Sequence, residues 1–182
     1  MARASKWEKV TFRTVPVYLL ALVILYKARP TLASFLGGAA LIVAGEAVRI
    51  WAAGHLKKNR ELTTSGPYAY LKNPLYFGTF WIMLGFFLIS RAFALMAVGL
   101  IGFLIYYAPY KNRREGRRLL ERFGDQWKDY DRAVPDYLPR VTPFEGQAQG
   151  RWSFPLFLEN DEQGTAAAVV VGMAALALRS WL

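Results

Sequence analysis

Long apolar stretches alternate with short basic ones along this 182-residue chain. The first, about 14–28 (TVPVYLLALVILYKA), is short for a membrane span and is closed by a turn at Pro30. The second, 31–54, is long enough at about 1.5 Å per residue to cross a hydrocarbon core of about 30 Å. From Pro74 to Tyr110 the chain is apolar again, and one helix of that length would overshoot a bilayer; a tight turn at Ser90–Arg91 divides it into 74–90 and 92–110. A weaker, alanine-rich stretch at 165–182 is a fifth candidate span. Between them, 111–132 is strongly charged but carries Leu119, Leu120, Phe123 and Trp127 at helical spacing, which predicts an amphipathic helix at the membrane surface. Prolines at 135, 139, 143 and 155 predict an irregular segment over 135–164. The pattern is that of an all-α, polytopic transmembrane bundle of about five spans. Residues 1–140 form its core, and 141–182 contribute the irregular segment plus the last helix. Small residues Gly37, Gly38, Ala40, Ala44 and Gly45 in the second stretch suit close helix packing.

Charge refines this reading. The formal net charge is +10, from 23 Lys and Arg against 13 Asp and Glu, which raises the question of nucleic acid. The distribution argues against it, because the basic residues sit at the ends of apolar stretches, where they orient spans and meet anionic lipid. The lead at 1–13, the 55–73 loop and the 111–140 segment are rich in Lys and Arg, whereas the connections near Lys27–Arg29 and Arg91 are poor. The positive-inside rule then places the N-terminus and both informative segments on the cytoplasmic face of an integral, multi-pass membrane protein. No small-residue cleavage site follows the first apolar stretch, which reads as a retained span. The absence of cysteine excludes disulfides, thiolate metal sites and a cysteine nucleophile, and the lone His55 cannot build a zinc site.

Two features carry candidate chemistry. Glu46 and Arg49, inside the second apolar stretch, lie three residues apart on one helical face. There they can neutralise each other or face a substrate. The stretch 60–78, RELTTSGPYAYLKNPLYFG, has a turn signal at Ser65-Gly66-Pro67 and a second at Asn73-Pro74, with Pro74 at a favoured first helical position. A helix opening there presents backbone N–H groups able to receive a carboxylate, beside the aromatic walls of Tyr68, Tyr70 and Tyr76. Read as residues alone, the same stretch is also an aromatic interfacial belt with a capped helix.

This stretch resembles the isoprenylcysteine carboxyl methyltransferases and related phospholipid methyltransferase-like membrane enzymes. In them a Leu-x-Thr-x-Gly-x-Tyr run leads into Arg-His/Asn-Pro-x-Tyr-x-Gly. Residues 115–139, EGRRLLERFGDQWKDYDRAVPDYLP, resemble the same family's carboxy-terminal motif, in the expected order and separated by a hairpin of apolar sequence. The resemblance covers 60–139. It implies that S-adenosylmethionine binds at the cytoplasmic face, with Tyr68, Lys72, Asn73, Pro74, Tyr76 and Gly78 lining the pocket and Glu115 accepting a hydrogen bond from the methionine amino group. Three positions depart from the pattern. Lys72 stands for the usual Arg and keeps the charge without the planar fork. Gly116 replaces a second Glu, and Trp127 stands where Tyr is common.

The chemistry agrees with such a role. A sulfonium donor suits a nearby carboxylate, and in-line methyl transfer gains much of its rate from positioning. The partner is a lipophilic small molecule or prenylated substrate entering from the bilayer, with membrane lipids around it and no nucleic acid. An anionic acceptor, most like an isoprenylcysteine carboxylate or alternatively a thiol, would be held by a cation such as Arg60 or Arg114, with Glu46 and Arg49 toward the substrate. A phospholipid amine would need a base, for which Glu61 is the candidate. An NADPH-dependent membrane reductase and a non-enzymatic scaffold are the more distant alternatives.

Overall fold

The structure, a computed structural model, describes residues 22–58, 60–146 and 148–180, and it is all helical there, without a strand among the described residues. The lead at 1–13 and the apolar residues 14–21 lie outside the described residues; the rest of the first stretch appears as a helix, α1, at 22–27.

Helix α2 (Leu32–Ala53) opens on a reciprocal cap, in which Thr31 accepts from the Ser34 backbone and the Ser34 hydroxyl accepts from the Thr31 backbone N–H. Helix α3 (Pro74–Ser90) starts on Pro74, whose missing N–H costs nothing at a helix entrance. It ends where Arg91 takes a left-handed conformation, φ 57°. The expected turn at Ser90–Arg91 is therefore present. α2 and α3 run antiparallel with glycines in register: a Cβ on Gly45 would stand 2.6 Å from the Gly78 carbonyl, and one on Gly85 would stand 2.5 Å from the Gly38 carbonyl. Ser34 extends the same register by donating its hydroxyl to the Ile89 carbonyl at 3.3 Å. Ile42 and Ile89, almost fully buried, fill the space between. In lipid, where burying Leu or Ile against another helix gains little over lipid contact, this backbone approach is what holds a helix pair together.

Helix α4 (Phe93–Ile101) passes without a break through a π-helical stretch, Gly102–Tyr107, into α5 (Ala108–Phe123). The expected boundary between a span ending at 110 and a surface helix beginning at 111 does not exist. Pro109 would break an ordinary helix by losing a hydrogen bond and crowding the carbonyl four residues back; the wider π turn ahead of it accommodates both. The surface helix expected over 111–132 is instead two. Gly124 (φ 53°, ψ −122°), a conformation that side chains rarely allow, ends α5, and α6 (Asp125–Ala133) restarts on a new axis. That bend lets Leu119 and Phe123 of α5 pack against Trp127, Tyr130 and Val134 in a small second core with Leu62 and Phe144.

The segment expected to be irregular over 135–164 is so only in part. It contains α7 (Phe154–Glu159), and α8 (Glu162–Ser180) begins inside it. Its first half straps the 64–72 loop: Lys72 N–H donates to the Pro135 carbonyl, Arg140 N–H to Tyr70, Phe144 N–H to Ala69 and Ala148 N–H to the Thr64 hydroxyl, all at 2.8–3.0 Å. Its second half caps α2, where Trp152 Nε1 donates to the Ile50 carbonyl, Ser153 N–H to Gly54, and Asn160 Nδ2 to Ala53 and Leu56. α8 then packs Val169 and Leu176 against Ile42, Ile82 and Ile89. By length and composition, Leu32–Ala53 is the one helix among the described residues able to cross a membrane, and Pro74–Ser90 and Phe93–Ile105 are shorter apolar helices.

Candidate active site

The two motif segments meet. The 66–69 turn is a single 3-10 helix (Gly66–Ala69), in which Gly66 sits at φ 59° with its bare Cα facing the His55 ring; a Cβ there would be 2.6 Å from it. His55 is buried, with Nδ1 3.2 Å from the Ser65 hydroxyl, and burial pushes its pKa below the ordinary 6.5. Tyr68, at the centre of that turn, is buried, and its carbonyl accepts the Tyr130 hydroxyl at 2.7 Å. Burial raises the pKa of the Tyr68 phenol, and the charges of Tyr130, Glu115, Glu162 and Tyr76 push the same way, so two carboxylates reach it electrostatically.

Tyr76, in the first turns of α3, donates its hydroxyl to Glu115 Oε1 of α5 at 2.7 Å. Asn73 is the α3 N-cap residue, although its side chain makes no capping bond, and Pro74 is fully buried behind it. Lys72 turns away from this point. Its ammonium, 8% exposed, lies 2.7 Å from Asp131 and 2.9 Å from Asp136, and ties the loop to α6 and the strap. Burial works to lower its pKa, but the two aspartates outweigh that and raise it. Gly78 faces α2, where a Cβ would be 2.5 Å from both the Gly45 carbonyl and Arg49 Cγ. The structure thus brings Tyr68, Tyr76 and Glu115 together, with Asn73 and Pro74 at the helix entrance beside them. It puts Gly78 in the α2–α3 seam and Lys72 in a structural ion cluster.

The departures at 116 and 127 are neighbours in the fold: a Cβ on Gly116 would stand in ordinary contact with the Trp127 indole, at 3.6 Å.

Glu46 and Arg49 share a face of α2 but do not pair. Arg49 instead reaches Glu162, the first residue of α8, with Nε to Oε1 at 2.6 Å and Nη2 to Oε2 at 2.9 Å. Its Nη1 donates to the Thr79 hydroxyl and the Leu75 carbonyl, and Nη2 also to Thr165. The physical reason is geometric: the planar fork meets a carboxylate two-pronged across a helix interface, which a neighbour three residues along its own helix does not offer. Glu162 also favours its place at a helix N-terminus. Arg60 is exposed and holds Glu159 at 2.8 Å, and Glu61 pairs with Lys57 at 2.7 Å. Arg114 is exposed beside Arg113, Arg117 and Arg118, lining an open concavity on a side of α5 from which Glu115 points away. Glu162 is the residue that sequence reasoning missed, since its segment reads as irregular; the signal was the apolar, alanine-rich run that it opens.

Residues 39–126 match the profile of the phospholipid methyltransferases. By this segment, just under half of the chain, the protein is similar to that family. It is 32% identical over 102 residues to the cobalt-zinc-cadmium resistance protein CzcN of Cupriavidus metallidurans, covering 55% of this chain and 46% of that protein. It is 31% identical over 102 residues to the nickel-cobalt-cadmium resistance protein NccN of Alcaligenes xylosoxydans xylosoxydans, covering 55% and 47%. The chain spans about half the length of these curated relatives. No solved structure matches it. The family segment carries the α2–α3 pair and the Tyr76–Glu115 contact, whereas Glu162 lies outside it.

Proposed function

We propose that the protein is a multi-pass membrane methyltransferase that uses S-adenosylmethionine and acts on a lipophilic acceptor, with its cofactor site on the cytoplasmic face. The observation that carries the proposal is the Tyr76–Glu115 hydrogen bond, because it joins the two motif segments at a helix N-terminus. The residues present fit the cofactor: Glu115 offers a carboxylate to an amino group, the α3 entrance at Asn73–Pro74 offers a positive dipole end to a carboxylate, and Tyr68 and Tyr76 offer aromatic walls. When bound, the cofactor supplies an electrophilic methyl group on a sulfonium. The chain's part is to orient it, with Tyr76 holding the Glu115 carboxylate in place and the buried Tyr68 turn, locked by Tyr130, fixing the pocket floor.

The acceptor is lipophilic in this reading. An apolar groove of about 330 Å³ lies next to the site, lined by Val48, Trp51, Tyr70, Pro74, Phe77 and Val141. Held by Arg49 or Arg60, an isoprenylcysteine-type carboxylate would displace Glu162 or Glu159. The relatives' names associate them with resistance to metals. Direct metal binding gains no support here, since no three His, Cys, Asp or Glu among the described residues cluster to hold an ion.

The test is a titration of the purified protein in detergent with S-adenosylmethionine, S-adenosylhomocysteine and NADPH. Binding of the first two that is lost in Glu115→Ala is the expected result; binding of NADPH alone, or of none of the three, overturns the reading.

A further inference from the structure

Arg113, Arg114, Arg117 and Arg118 are exposed and line an open concavity of about 720 Å³ on the outer side of α5, away from the face that packs Leu119 and Phe123. Among the described residues none of the four makes a hydrogen bond or an ion pair, although Glu121 stands on the same rim four positions beyond Arg117. Cations elsewhere do hold carboxylates: Arg49, Arg60, Lys72 and Lys128 are each paired. The spacing makes the cluster costly, because 113 with 117 and 114 with 118 are like charges one turn apart, which repel on a helix surface. An anion lodged between them would remove that repulsion, and guanidinium forks meet phosphate oxygens two-pronged.

The apolar end of the same surface identifies the rest of the ligand. α4 and α5 are one continuous rod through the π-helical stretch, and Val98 and Ile105 on it are 71% and 73% exposed. Ile105 and Tyr110 line the concavity together with the arginines, so the surface passes from apolar to aromatic to cationic along one helix. At about 1.5 Å per residue, Arg113 and Arg114 stand about 5–6 Å beyond Tyr110, the depth of a head-group layer over a hydrocarbon edge. The occupant is therefore anionic at one end and hydrocarbon at the other. The chain's own basic lead, with Arg3, Lys6, Lys9 and Arg13, is repelled by the cluster, and a second copy would bring the same cations. An acceptor for methyl transfer does not fit either, because Glu115 points away from this side of α5.

We propose that the outer face of α5 binds the phosphodiester head of an anionic phospholipid whose acyl chains lie along α4. The lipid is a bound neighbour rather than a reactant. The proposal goes beyond the methyl-transfer reading and does not depend on it, since binding is measured without cofactor.

The probes are phosphatidylglycerol and phosphatidylcholine, titrated into the full chain in detergent, with bound lipid counted by native mass spectrometry. The wild type is expected to hold phosphatidylglycerol about tenfold more tightly than phosphatidylcholine. Arg113→Gln with Arg117→Gln should lower the phosphatidylglycerol affinity about tenfold or more, the scale of two cations at a membrane surface. Arg29→Gln with Arg91→Gln removes the same charge from exposed arginines in the α1–α2 and α3–α4 connections, and should leave the preference in place. Should the α5 variant not fold, the wild type decides. Phenylglyoxal, which attacks exposed guanidinium groups, should label the four arginines of α5, located by peptide mass spectrometry; phosphatidylglycerol should protect them and glycerol 3-phosphate should not. Equal phosphatidylglycerol binding by the wild type and the α5 variant overturns the proposal, and so does an equal loss in both variants, which would mark net charge alone. Protection by glycerol 3-phosphate as strong as by the lipid also overturns it, since the head would then bind without the chains.

Discussion

Tyr76 and Glu115 are 39 positions apart on α3 and α5, and a 2.7 Å hydrogen bond from the phenol to Oε1 joins them. Glu115 has its place through the long α4–α5 helix, while Tyr76 has its place through the Pro74 entrance to α3. The contact therefore reports whether both motif segments are seated. Glu115→Gln keeps the shape but removes the charge that the proposed cofactor's amino group would meet, and should weaken S-adenosylhomocysteine binding about tenfold or more. Tyr76→Phe leaves the carboxylate charged but unanchored and should cost less, about three- to tenfold. Isothermal titration in detergent measures both. A Tyr76→Phe loss as large as that of Glu115→Gln would mean that the phenol itself contacts the ligand.

Breaking the Arg49–Glu162 pair should be costly in a characteristic way. Both side chains are largely buried, at 14% and 3% exposure. Glu162→Gln leaves Arg49 charged and under-partnered, at a cost of about 3–5 kcal/mol, whereas replacing both by Met should recover much of it. A double-mutant cycle on thermal unfolding in detergent gives the coupling, expected at about 2 kcal/mol or more. A coupling near zero would show that α8 does not depend on this pair for its seat on α2.

Much of this was legible from local signals, and the rest fails for one reason. Asn73-Pro74 gives the α3 entrance, Ser90–Arg91 gives its exit, and the small residues of α2 give a packing face, because each depends only on near neighbours. Arg49's partner lies 113 positions away, and helical spacing pointed to Glu46 instead, since periodicity shows which residues share a face but not what the next helix brings to it. The expected helix boundaries after 110 misled in opposite directions. The change from apolar to charged sequence at 111 marks no break in the helix, and an apolar stripe that runs on through 123 and 127 hides a glycine that bends the chain. The Tyr68–Tyr76–Glu115 grouping came from motif order, which the residues' own chemistry left as open between a site and an interfacial belt.

The glycine seam makes a prediction that separates packing from cofactor contact at Gly78. A Cβ there meets the Gly45 carbonyl at 2.5 Å, and one on Gly45 meets the Gly78 carbonyl at 2.6 Å. Both are backbone atoms that cannot swing aside, so α2 and α3 must part. Gly45→Ala and Gly78→Ala should each destabilise by about 1–3 kcal/mol, and Gly102→Ala, with nothing within 4 Å of its would-be Cβ, should not. Should Gly78→Ala lose cofactor binding while its unfolding temperature is unchanged, Gly78 would belong to the pocket rather than to the seam.

Acid should loosen the turn that carries Tyr68, and His55 should be the cause. Burial lowers its pKa below 6.5, so the folded protein holds the ring neutral where the unfolded chain would already take a proton. The sign follows from that difference: the unfolded state binds more protons between the two pKa values, so stability rises with pH through that window. It is complete above about 6.5 and is lost as pH falls toward the folded-state value. Protonation would also place a charge against Ser65 and the bare Cα of Gly66, with no carboxylate bonded to the ring. His55→Gln, which cannot titrate, should flatten the fall in unfolding temperature between pH 7.5 and pH 5 while lowering the plateau by about 1 kcal/mol for the lost fit. If the wild type and His55→Gln lose stability in parallel over that range, the acid sensitivity lies with other groups and the neutral ring is not what holds the turn.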